Sequence, residues 1–289
     1  MKRPWLVYGL SFIGGLVVFL IVLSFVLSFL LKFKELDFGR PQIGVLEIKG
    51  VIADPEEYLR AIKVFQEREN IKGVVVRIDS PGGSVGASQE IFEELKKLRK
   101  FKPVVISMGN IAASGGFYIS LGGNQTFALP GTLTGSIGVV LQVPNLEKLL
   151  KKLGVEAEVV KSGEYKDTGS FYRPLSPKER EYLQEKIKVI HSQFVKAIAE
   201  EKKLPETKVR EIADGRIFTG EEALKLGLID RLGGFWDAVD EVKKLAKIKE
   251  VKLVYFPEKK RSFWQFLLEE KASLLAEMVY FKPWFFPNY

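Results

Sequence analysis

Cysteine is absent from this chain of 289 residues, and histidine occurs once, as His191. The first absence excludes a thiol nucleophile, a thiolate metal site and a disulfide framework. The second excludes multi-histidine metal centres and leaves His191 as the sole imidazole for any Ser-His-Asp arrangement. No metal or other cofactor is expected. The formal charge of +8 is not concentrated: lysines alternate with glutamates along helical stretches, which reads as a solvated surface and not as a nucleic-acid interface. With 46% hydrophobic residues the chain can still bury a substantial core.

Charge is also missing locally. From Trp5 to Leu31 about 27 residues carry none, between Lys2 and Arg3 on one side and Lys32 and Lys34 on the other. A helix of that length exceeds the roughly 20 residues needed to cross a bilayer. A cleavable signal peptide has a shorter apolar region and a small-residue cleavage site, and neither is visible. Residues 1–31 are therefore expected to be a single-pass transmembrane anchor, followed by a linker, 32–42. The flanking charges nearly balance and do not orient it.

Beyond the linker the pattern is α/β. Short β-branched runs alternate with helical stretches: Gly44–Ile48 then Glu56–Glu67, Gly73–Ile78 then Ala87–Lys100, Val104–Met108 then a segment from Ser114. Further strands are expected at Ser136–Val140, Val155–Val160 and Val251–Tyr255. Such alternation predicts a mostly parallel sheet with ligand sites at strand carboxyl ends. A long helix begins at Ser176, where Ser176, Pro177 and Glu179 form a capping box. Leu183, Ile187, Ile190, Phe194 and Ile198 make its apolar stripe, with His191 beside it as a packing or surface residue. Three shorter helices are expected, at Glu206–Ala213, Gly220–Leu226 and Trp236–Lys247. One domain is thus expected over 43–257, with an aromatic tail over 258–289.

Three Gly/Ser-rich loops stand at strand ends: Asp79-Ser80-Pro81-Gly82-Gly83-Ser84, Asn110-Ile111-Ala112-Ala113-Ser114-Gly115-Gly116 and Thr134-Gly135-Ser136-Ile137-Gly138. Hydrolysis of an acyl bond by serine needs an exposed hydroxyl, a base, and N–H donors for the oxyanion. The small residues around Ser114 suit a hydroxyl on a tight strand-to-helix turn, with a helix N-terminus under the developing charge. Ser84, in Gly82-Gly83-Ser84-Val85-Gly86, formally matches the nucleophile elbow of α/β-hydrolases, but that reading needs a loop histidine and His191 sits mid-helix. With histidine unavailable, lysine is the natural base, once desolvation or positive charge makes it neutral. Lys166 lies in the glycine-containing loop Ser162-Gly163-Glu164-Tyr165-Lys166-Asp167; spacing alone does not single it out among the lysines.

Taken in order, these loops, extended by Met108-Gly109 and Phe117-Tyr118 and joined by Ala213-Asp214-Gly215-Arg216-Ile217-Phe218-Thr219-Gly220 and Leu228-Ile229-Asp230, resemble the signal peptide peptidase A family over roughly 43–256. The resemblance implies a ClpP/crotonase-like α/β fold and peptide hydrolysis by a Ser-Lys dyad. By motif position it implies Ser114 as nucleophile, Lys166 as general base, Ser136 as the serine that orients Lys166, and the N–H groups of Gly83 and Gly115 as oxyanion donors. It further implies peptide substrates (signal peptides and unfolded apolar segments), a catalytic domain on the outer face of the cytoplasmic membrane, and a homo-oligomeric ring, as for short members with one copy of the unit. Two rivals remain: a crotonase-fold enzyme acting on acyl-CoA, and a membrane scaffold without activity. The Ser114, Ser136 and Lys166 set and the anchor favour the peptidase.

Overall fold

The computed structural model describes residues 14–27 and 40–256. Three long strands, β1 (Gln42–Ile52), β2 (Ile71–Gly83) and β3 (Val104–Ala113), form the centre of the sheet. Short strands complete it: β4 (Gln125–Ala128), β5 (Leu133–Gly135), β6 (Ile217–Thr219), β7 (Arg231–Leu232) and β8 (Lys252–Phe256). The order is β6-β5-β3-β2-β1-β8, with β4 also beside β3 and β7 beside β4. Only the β5–β6 pair is antiparallel. Parallel neighbours need long crossovers. Helices α2 (Glu56–Glu67) and α3 (Val85–Leu98) supply them between the first three strands.

The apolar runs of β2 and β3 are continuous because both faces of the sheet are covered. Alternation then sorts the side chains. Val74, Val76, Ile78, Val104 and Ile106 pack with Phe65, Leu95, Phe117 and Phe194 on one side. Val75 and Val105 face the other way, onto Ala238, Val239 and Val242 of the helix Phe235–Ala246. A helical layer therefore lies on each face, and the loops at the carboxyl ends of β2, β3 and β5 share one edge of the domain.

Helix α2 has the bounds its periodicity predicts. Helix α6 (Pro177–Lys202) starts with the expected capping box, Ser176 Oγ accepting from Glu179 N at 3.2 Å and Glu179 accepting from Ser176 N at 2.8 Å. Its stripe is buried at Phe194 and Ile198 but only half-buried at Leu183, Ile187 and Ile190. Two expected strands are not formed. Residues 136–140 and 155–160 lie in irregular backbone, with Val140 79% and Val160 94% exposed. A β-branched run favours a strand only where a partner edge is available, and among the described residues neither run pairs with one. Between them sits only the short α5 (Glu147–Lys152).

Of the expected anchor, residues 14–27 are described and form the helical segment α1, exposed on all sides. Among the described residues no helix is long and apolar enough to cross a membrane. The rest of 1–31, the linker before residue 40 and the tail 258–289 lie outside the described residues.

Candidate active site

The loop ending β2 is fastened from below. Ser80, fully buried, donates its hydroxyl to Gly50 O at 2.6 Å and accepts from Gly82 N at 3.1 Å. Asp79 accepts from Ile111 N and from Asn110 Nδ2, each at 3.2 Å, tying this loop to the end of β3. At Gly83 the neighbouring strand is so close that a Cβ would stand 2.2 Å from Ile52 O, so no side chain fits.

Ser114 follows β3 directly and caps α4 (Gly115–Ser120) at φ 52° and ψ −119°. A non-glycine residue there is strained, at a cost of about 1–3 kcal/mol. The next turn buries Phe117 and Ile119 completely, worth roughly 1.5–3 kcal/mol each, so packing outweighs the strain. Backbone bonds hold the turn on both sides: Ser114 N donates to Gly135 O at 2.8 Å, and Ser114 O accepts from Tyr118 N at 2.8 Å. A Cβ on Gly115 would come within 2.3 Å of Ser88 Oγ and 3.3 Å of Gly83 N. The Gly83 and Gly115 backbones are thus brought side by side next to the serine.

Ser114, Gly83 and Gly115 line one small cavity of about 30 Å³. Its other walls are mainly apolar, from Val85, Tyr118, Val139, Ile190 and Phe194. Burial pushes the Tyr118 hydroxyl above its ordinary pKa, with a hydrogen bond to Gln89 opposing. Tyr118 is a neutral phenol at physiological pH and no base. The Ile190 and Phe194 walls are what sequence reasoning missed. Both belong to the apolar stripe of α6, and periodicity does not distinguish a core face from a cavity wall.

Ser136 also has a positive φ, 49°, and is half-buried. Its N–H donates to Arg216 O at 2.8 Å, and Gly215 N donates to Ile137 O at 3.1 Å, so the Ala213–Gly220 motif braces this turn. Gly135, just before Ser136, anchors Ser114, and Gly138, just after, lines the cavity. Lys166 is placed elsewhere. It is exposed, in a loop following Gly163 whose carbonyl accepts its N–H at 3.2 Å, and it does not line the cavity. No hydrogen bond joins it to Ser114 or Ser136 within the described chain. His191 has a packing role: its Nε2 meets Ala213 O at 2.7 Å, away from the cavity. Ser84 is the N-cap of α3 and does not line the cavity either.

A strained serine thus stands between a parallel-sheet strand and a short helix, beside two glycine backbones and an apolar cavity, which are parts that serine hydrolases use. Residues 96–249 match the family model described as peptidase family S49, and residues 52–135 match that of Clp protease. Similar proteins include a putative protease of Synechocystis, 50% identical over 69% of this chain and 72% of its own length. A putative signal peptide peptidase SppA of Enterococcus faecium is 37% identical over 73% of this chain and 65% of its own length. Protease 4 of Salmonella typhi is 40% identical over 74% of this chain but only 36% of its own length. The chain belongs to peptidase family S49, the signal peptide peptidase A family, and is a serine endopeptidase of mixed α/β fold.

Proposed function

We propose that the chain cuts unfolded, apolar peptides, cleaved signal peptides among them, with Ser114 as nucleophile and Lys166 as general base. The carrying observation is the convergence of Ser114, Gly83 and Gly115 on one apolar-walled cavity. The Ser114 hydroxyl attacks the scissile carbonyl carbon while the Lys166 amine takes its proton. The oxyanion is received by the N–H groups of Gly83 and Gly115. Collapse expels the amine half of the peptide with the proton from Lys166, leaving an ester on Ser114. Water then attacks the ester, Lys166 accepts its proton, and collapse breaks the bond to the Ser114 oxygen, which takes the proton back from Lys166 as the acid half departs. Ser136 orients the lysine amine. The cavity beside Ser114 takes an apolar side chain adjoining the cut.

This chemistry needs Lys166 brought to a serine, and the placement of its loop favours assembly. The loop is fastened at Glu179 near the start of α6, whereas Ile190, eleven positions on, reaches the Ser114 cavity. At ~1.5 Å per residue that is about 16 Å along the axis. A neighbouring copy in a ring would cover the exposed lysine and pair it with a serine. The uncovered Val140, Leu149, Leu153 and Val160 provide apolar surface for such a contact. Residues 1–31 anchor each copy in the cytoplasmic membrane, with the catalytic domain outside.

The test is peptide hydrolysis by Ser114→Ala and Lys166→Ala beside labelling with a serine-reactive phosphonate. Both variants should lose at least ~10³-fold in rate while staying folded, and label should appear only on Ser114. Full activity in either variant sinks the corresponding role. The lack of cysteine allows a topology test: Lys249→Cys should react with an impermeant maleimide in intact cells, and protection from it would reverse the orientation.

A further inference from the structure

The neighbours of Lys166 on both sides are fastened, while its own side chain is exposed. Before it, Glu164 accepts from Lys178 Nζ at 2.7 and 2.9 Å, and the Tyr165 ring stacks on Tyr182 with centroids 4.8 Å apart. After it, Asp167 accepts from Lys161 Nζ at 2.6 Å and from Arg173 Nε at 2.9 Å. Arg173 turns its other nitrogens onto Glu179, Nη1 to Oε2 at 2.8 Å and Nη2 to Oε1 at 2.6 Å. Glu179 also accepts from Thr168 Oγ1 at 3.1 Å. Every one of these chains of contact ends on the first turns of α6.

Glu179 is 3% exposed, and a buried carboxylate persists only when paired and hydrogen-bonded. A capping box needs from it only the bond to Ser176 N. The bidentate Arg173 pair and the Thr168 bond go beyond capping, and they lead to the residues that follow Lys166. Arg173 is suited to this because its planar fork grips Glu179 bidentately while Nε stays free for Asp167, which a lysine could not do. Arg173 holds both carboxylates well below the usual range, so all three charges are present at working pH.

We propose that Arg173, together with Glu179 and Asp167, forms a positioning device for Lys166, fixing the backbone on either side so that the amine projects from one place. The proposal rests on the reading of Lys166 as the base. Misplacing a catalytic group by about 1 Å costs on the order of 10²-fold in rate, so the device acts on kcat and not on substrate binding.

The experiment uses the full chain in detergent with an apolar reporter peptide. It compares Arg173→Met, Arg173→Lys, Asp167→Asn and the double variant Arg173→Met/Asp167→Asn, with Lys166→Ala in parallel. Thermal unfolding and assembly state are measured on each. The expected result is a roughly 10–100-fold fall in kcat for Arg173→Met with KM within about threefold. Arg173→Lys should recover a fraction, and the double variant should be no worse than Arg173→Met alone, because the residues act as one unit. Arg210→Met, which breaks an exposed pair with Glu206 elsewhere, should stay within about twofold. If Arg173→Met folds poorly, Asp167→Asn, which keeps the Arg173–Glu179 pair and the helix start, carries the test. A kcat that falls only in proportion to lost folded, assembled protein overturns the proposal, as does an unchanged kcat in both variants. A fully active Lys166→Ala removes the underlying base assignment, whereas an inactive Lys166→Ala beside an unaffected Arg173→Met removes only the positioning role.

Discussion

The surroundings of Ser114 and those of Lys166 are held by different physics. Ser114 stands on the carboxyl edge of a sheet whose strands are buried on both faces, and backbone bonds from Gly135 and Tyr118 fix its strained turn. Lys166 stands in a segment without strands, between the uncovered Val140 and Val160 and the start of α6, held by ion pairs and one ring stack. Burial makes the first site rigid in a single chain. Exposure leaves the second fit to be completed by contact with another surface. A serine must be pre-aimed at its oxyanion donors, which requires rigidity of about half an ångström. On the proposed mechanism, a base that arrives from a neighbouring copy needs only a fixed point of projection.

The rigid side should be the more sensitive to substitution. Gly115→Ala puts a methyl group 2.3 Å from Ser88 Oγ and 3.3 Å from Gly83 N. The proposed oxyanion donors should be displaced, lowering kcat by roughly 10²–10³-fold, the loss typical of removing one such donor. The added Ser88→Ala change removes the nearest atom and should restore part of the rate. Circular dichroism should show both variants folded. No loss in Gly115→Ala would mean that the two glycine backbones are not the anion site.

The exposed side should break by a different route. Val160→Asp places a charge at a residue 94% exposed in the single chain, where folding alone is indifferent to it. If this segment meets a second copy, the charge is buried there without a partner, and assembly should fail. Light scattering should then report a folded, smaller species with activity down about tenfold or more. An intact assembly with full activity would show that this segment stays in solvent.

The same division governs what can be read from the amino-acid order. Glu56–Glu67 and the Ser176/Glu179 capping box are legible because helix periodicity and capping are local. The convergence of the Asp79–Ser84, Asn110–Gly116 and Thr134–Gly138 loops follows from parallel-strand topology, which alternation reveals. The strands expected at Ser136–Val140 and Val155–Val160 rest on the same β-branched signal, but a strand also needs an edge, and no local pattern says whether one is present. Likewise nothing near Glu179 betrays that its carboxylate also receives Arg173 and Thr168, since those contacts depend on how the preceding loop folds back.

The smallest effect expected belongs to the brace between the two regions. Asp214 sits in the motif that supports the Ser136 turn, and the Arg216 guanidinium lowers its pKa to about 2. An unfolded aspartate titrates near about 3.9. Because the native value is the lower one, the pair's contribution is fully present above about pH 4 and is lost as pH falls through about 2. Arg216→Met returns the carboxyl toward its ordinary value, while the Arg216 carbonyl that receives Ser136 N is kept. The variant should therefore melt slightly below the unmodified protein at pH 6, and the two curves should converge toward pH 2. Both side chains are exposed, so the difference should be no more than a few degrees. An equal gap at pH 6 and pH 2 would show that Arg216 supports the turn by packing and not by its charge on Asp214.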